Sequence, residues 1–151
     1  MTSNKKTEMN FYQCDETIVK SIAPLLLKVL EENKKAIIFS ANQAHIKLLD
    51  DGLWSYGKNK FIPHIVAGDK DFAVKDIVRQ PIIITVAEEN LNKADYLVFL
   101  TEPSGAFISV FSRAFYFFEE ENFANAQELA KKFNPANSYK KADGKWIKFK
   151  F

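Results

Sequence analysis

A three-layer α/β domain, built on a mainly parallel sheet with helices on both faces, is the fold the sequence predicts. Segments of strand and helix character alternate along the chain, the pattern of βαβ units. The segment Ala36–Phe39 (AIIF) and residues 81–86 (PIIITV) are apolar without alternation, as strands buried on both faces are. Between them lie runs with helical spacing of apolar residues and side chains suited to capping. The outcome is a Rossmann-like sheet without its usual phosphate loop, because neither GxGxxG nor a Walker-type GxxxxGK pattern occurs.

The elements follow in order. Residues 9–14 (MNFYQC) read as a first strand after a polar N-terminal stretch, residues 1–8, expected to be loose or extended. Asp15 or Thr17 caps a helix whose apolar positions are Ile18, Ile22, Leu25, Leu26, Val29 and Leu30, kinked or restarted at Pro24. Ala36–Phe39 is the second strand. Ser40 and Gln43 form a capping box for the next helix, with Ala41, Ala44, Leu48 and Leu49 as its buried stripe. A turn at Trp54 leads to a third strand over 61–66, where Pro63 implies an edge or strand-start position. Residues 69–80 form a polar connection with some helical character.

Residues 81–86 and 96–100 supply the fourth and fifth strands. A long helix is expected over 104–120, with Phe107, Phe111, Ala114 and Phe118 on one face. A short helix then starts at the Asn125–Glu128 pair and stops before Pro135. Residues 137–141 and 145–151 form a hairpin, Ile147, Phe149 and Phe151 alternating with Trp146, Lys148 and Lys150.

The 151 residues form one domain, 47% hydrophobic and 26% charged, the composition of a globular protein. No apolar run approaches the ~20 residues of a membrane helix, and MTSNKKTEMN lacks the apolar core of an export signal. With the single Cys14 unable to form an internal disulfide, the expected compartment is the cytoplasm, and no membrane association is expected. One cysteine and two histidines leave no ligand set for a metal, and no cofactor is implied. A net charge of +2 is too small to argue for nucleic acid. The charge is uneven, however: seven lysines and one acid lie from Lys131 onward, either a solvated tail or an anion-binding surface.

Catalytic residues are not expected. After the first strand come Asp15 and Glu16, which repel phosphate. Cys14 and His64 show no activating constellation, and Asp50 and Asp51 diverge on a helix as a solvated face. Trp54 reads either as core or as an interface anchor. Two other functions remain open: a nucleotide-dependent hydrolase on the sheet, and direct single-stranded DNA binding by lysines interleaved with aromatics such as Trp146 and Phe149.

One pattern is more specific. Leu49, Asp50, Asp51, Leu53 and Trp54, followed by Phe61, Pro63, His64, Ala67 and Gly68, resemble the chi subunit family of bacterial DNA polymerase III. Phe11-Tyr12, Gln80-Pro81-Ile82, Asn92-Lys93-Ala94-Asp95 and Trp146 extend the resemblance over nearly the whole chain. It implies a non-catalytic adaptor at the replication fork that meets DNA only indirectly. One surface would hold the acidic C-terminal tail of single-stranded DNA-binding protein, which ends in phenylalanine. Phe118, Lys131, Lys132, Tyr139, Lys140 and Trp146 are the residues the resemblance assigns to it. Lys131 stands where the family has an arginine, and lysine cannot make the planar bidentate contact. A second surface, Trp54, Phe61 and Pro63, would bind the psi subunit or an equivalent clamp-loader protein, or an iron–sulfur helicase.

Overall fold

The structure, a computed structural model, describes residues 7–15, 17–56, 62–68 and 74–151. These carry β1 (Glu8–Cys14), α1 (Ile18–Glu31), β2 (Ala36–Phe39), α2 (Gln43–Trp54), β3 (Ile65–Val66), β4 (Ile82–Thr85) and β5 (Tyr96–Phe99). They continue with α3 (Gly105–Ile108), β6 (Arg113–Glu119), α4 (Phe123–Phe133), β7 (Asn137–Ala142) and β8 (Lys145–Lys148). The strands form one sheet in the order β3-β4-β2-β5-β6-β1-β7-β8. Every pair is parallel except β7–β8.

Side chains alternate across this sheet and build a core on each face. On one face Ile38, Ile84, Val98, Phe115 and Phe117 meet Ile22 and Leu26 of α1 and Leu49 and Leu53 of α2. On the other, Phe11, Ile37, Leu97, Phe99, Tyr116 and Phe118 meet Phe107 and Ile108 of α3 and Leu129 of α4. The three-layer, mainly parallel α/β fold is therefore as the sequence predicts. No helix among the described residues is long and apolar enough to cross a membrane.

Several elements differ from expectation. The helix expected over 104–120 is a single turn, α3, with the Ser104 hydroxyl accepting the Phe107 N–H at 3.2 Å, followed by the strand β6. Residues 114–118 are buried without interruption, and β6 runs parallel between β1 and β5. A run apolar on every side carries no period of its own. Pairing with two flanking strands, which suits bulky aromatics, decides its conformation.

The buried stripe of α2 is Ile46, Leu49 and Leu53, whereas Ala41, Ala44 and Leu48 are exposed. Asn42, not Ser40, caps the helix, its side chain accepting the Ala44 N–H at 2.9 Å. Ser40 instead bonds His45 Nδ1 at 2.7 Å. Pro24 neither ends nor restarts α1; it lies exposed within one continuous helix, capped by Thr17. There the carbonyl that loses its partner faces water.

β3 is two residues long and at the edge, with Pro63 before it and outside the ladder, and Val74–Arg79 form a 3-10 turn. α4 begins at Phe123 rather than at Asn125, whose amide instead donates to the Tyr116 hydroxyl at 3.5 Å. The β7–β8 hairpin turns through Asp143 (φ 50°) and Gly144 (φ 76°), the two positive φ values of a tight hairpin turn. β8 ends at Lys148, earlier than the alternation to Phe151 suggests.

Candidate functional site

α4 ends at Asn134, whose left-handed φ of 49° lets its N–H reach the Ala130 carbonyl at 2.8 Å. Pro135 prevents continuation, and the Ala136 N–H then joins the Met9 carbonyl at 2.8 Å, carrying the chain into β7. This reversal leaves a groove of about 460 Å³ between the end of α4 and the segment after β8. Ala130, Pro135, Ala136, Phe149 and Phe151 give it apolar walls, and Lys131 lies on its rim. The helix carbonyl end favours cations at this point.

Lys131 Nζ lies 3.3 Å from Glu128 Oε1, with both side chains about seven-tenths exposed, a weak surface pair that a stronger anion can displace. Lys132 points elsewhere. Its Nζ meets Glu102 Oε2 at 2.6 Å and sits 5.3 Å from the Phe133 ring centre. Phe118 is 2% exposed, with Phe123 and Phe151 ring centres 6.5 and 6.1 Å from its own. It is thus the floor beneath Phe151 rather than an open wall.

Tyr139 and Trp146 do not join this groove. They face the α1 side of the sheet, where Tyr12 stacks between Phe117 and Tyr139 at 4.8 and 5.2 Å and meets the edge of Trp146 at 5.1 Å. Burial, with the neighbouring Tyr139, pushes the Tyr12 phenol up to about 12. Lys141 lies 5.1 Å from the Trp146 ring centre. Lys140 is exposed and shares the strand face of Ser138, which lines the groove. Phe149 and Phe151 are the site residues that sequence reasoning missed as such; the signal was their strict alternation in the final segment.

The Trp54 surface is built differently. Trp54 is 56% exposed at the end of α2, its ring 4.7 Å from that of His64. His64 Nε2 faces Asp50 Oδ1 at 2.9 Å and Nδ1 faces the Ile62 carbonyl at 2.8 Å. Pro63 lies half-buried between these contacts, and Phe61 lies outside the described residues. Asp50, expected as a solvated residue, is instead bound to a fully enclosed imidazole.

At the carboxyl ends of β1 and β6, α1 and α4 depart to opposite faces, the crevice where such sheets take ligands. Here Asp15, Glu119, Glu120 and Glu121 line it, opposed by Lys141. Carboxylates at this density repel a phosphate. Burial pushes the adjacent Cys14 thiol up to about 11, so it is not a thiolate near neutral pH.

The family model described as DNA polymerase III chi subunit, HolC, matches residues 7–138. A curated relative, "Probable DNA polymerase III subunit chi" of Rickettsia prowazekii (strain Madrid E), is 30% identical over 110 residues, covering 68% of this chain. The match spans 64% of that relative's length. Among solved structures, the C-terminal domain of S. cerevisiae Dbp5 bound to Gle1 and IP6 superposes with a TM-score of 0.56 over 89% of each chain. At 15% identity that likeness concerns the fold alone.

Proposed function

The chain belongs to the DNA polymerase III chi subunit family, a family of accessory, non-catalytic subunits, and we propose that it works as a cytoplasmic replisome adaptor. In this reading it joins the clamp loader, or a repair helicase, to the acidic C-terminal tail of single-stranded DNA-binding protein. The single observation that carries the reading is the groove at the end of α4, apolar along its walls and rimmed by Lys131. A peptide ending in phenylalanine and rich in aspartate needs both features, a greasy slot for the ring and cations for the carboxylates.

Titration calorimetry of an acidic peptide ending in phenylalanine tests it. Lys131→Glu combined with Lys132→Glu is expected to lower affinity at least ~10-fold, since reversing a contacting charge costs about 1.4 kcal/mol or more. Unchanged affinity removes this groove from the function.

A second surface is favoured by one specific observation, the exposure of Trp54 beside its buried His64 support. Large aromatics that stay in water and rest on a rigid base are typical anchors for a protein partner. With Pro63 and Phe61, Trp54 is the proposed contact for the psi subunit, an equivalent clamp-loader protein, or an iron–sulfur helicase.

A further inference from the structure

Phe151 bears on how the α4 groove is filled, an inference that rests on the groove being the peptide site. Lys150 and Phe151 lie beyond the end of β8 and outside its ladder with β7. The Phe149 N–H still bonds the Ser138 carbonyl at 2.8 Å. Past that bond the segment is held by rings. Phe151 stands edge-on to Phe11 at 5.7 Å, and its ring centre lies 6.1 Å from Phe118, 5.4 Å from Phe123 and 4.9 Å from Phe149. It is half-buried against the core of the α4 face.

A phenylalanine ring of the same chain, Phe151, therefore forms one wall of the groove and covers Phe118 beneath it. Its surroundings do not suit the segment that delivers it. Lys131, Lys148 and Lys150 are the charged residues that line the groove, and the segment that delivers Phe151 brings two of them. An acidic segment carrying the same ring satisfies the apolar walls equally and reverses the sign of the electrostatic term. We propose that Phe151 is a tethered occupant of the peptide's ring site, and that an acidic, phenylalanine-bearing peptide binds by displacing it. The floor exposed by that displacement is Phe118, which is 2% exposed while Phe151 covers it. The apparent affinity for the peptide is then reduced by the fraction of time the hollow stands open.

Calorimetry on the full chain tests this with two probes: a peptide of aspartate and glycine ending in phenylalanine, and the same peptide ending in alanine. Phe151→Ala is expected to tighten the phenylalanine peptide roughly 3- to 10-fold, the factor for a ring in place most of the time, and to leave the alanine peptide unchanged. Equal or weaker binding of the phenylalanine peptide by Phe151→Ala, with the thermal midpoint retained, overturns the proposal: Phe151 is then a fixed wall, and the groove remains the peptide site. No binding by either form removes the groove as a peptide site and the proposal with it. Should Phe151→Ala fail to fold, Phe151→Leu keeps apolar bulk without the ring and carries the same expected sign.

Discussion

His64 and Asp50, separated by 14 positions, close the end of α2 onto the segment before β3, with Nε2 and Oδ1 2.9 Å apart. The imidazole is completely enclosed, its other nitrogen faces the Ile62 carbonyl at 2.8 Å, and the Trp54 ring rests against it. Each ring nitrogen thus faces an oxygen, which fixes the plane of the imidazole. His64→Ala is expected to destabilise the fold by about 2–4 kcal/mol, combining a cavity with an Asp50 carboxylate that loses its partner. Urea unfolding measures this, and Trp54 emission in a Trp146→Phe background is expected to move with it. A loss below about 0.5 kcal/mol means the clasp does not hold the turn.

α2 packs against α1 at Gly52. A Cβ there would sit 2.6 Å from Val19 Cγ2, and the neighbour is the short, stiff side chain of a buried valine. Gly52→Ala is expected to cost about 1–3 kcal/mol by overpacking despite its better helix propensity. Val19→Ala in the same chain should recover part of that loss, since both substitutions act on one contact. Additive losses in the double-mutant cycle contradict this account of the packing.

The buried thiol gives a pH dependence of definite sign. Cys14 ionises near 9 in ordinary surroundings and about 11 here, burial being the chief cause. The unfolded chain releases this proton first, so its contribution to stability is level below pH 9 and is lost as the pH rises through about 11. Comparing the chain with Cys14→Ala between pH 8 and pH 10.5 should show a steeper fall for the cysteine form. Ellman's reagent at pH 8 should label Cys14 at the rate of unfolding. Immediate labelling of the native protein contradicts its burial.

Lys131 offers a gain-of-function test. Arginine presents a planar fork that pairs with both oxygens of a carboxylate, where lysine presents a point charge. Lys131→Arg is expected to tighten an acidic, phenylalanine-ended peptide by about 1 kcal/mol, a several-fold change in the calorimetric Kd. The same change at Lys132, already paired with Glu102 at 2.6 Å, is expected to have little effect.

The layers of this fold were legible because AIIF and IIIT announce central strands and the α1 stripe announces a helix. Residues 113–119 were not, because RAFYFFE has apolar side chains in every direction, and phenylalanines at 107, 111 and 118 happen to fit a helical stripe. Only the pairing of β6 with β5 and with β1, the latter distant in sequence, resolves it. The candidate site divided in the same way. Lys131 and the Trp54 turn could be placed because the motifs that carry them are local. Trp146 and Tyr139 fell on the α1 face, since the parity of a hairpin depends on a register that the sequence does not display. The Asp50–His64 contact joins two motifs of one stretch across a turn, and charge patterning alone reads Asp50 as solvated.

The groove at the end of α4 is tested most directly by backbone-resolved NMR of the full chain, titrated with an acidic peptide ending in phenylalanine. The expected result is saturable shifts confined to Ala130, Lys131, Asn134, Ser138, Phe149 and Phe151, diminished by Lys131→Glu. Shifts centred instead on Asp15 and Glu119 at the carboxyl ends of β1 and β6, or no shifts at all, would contradict it.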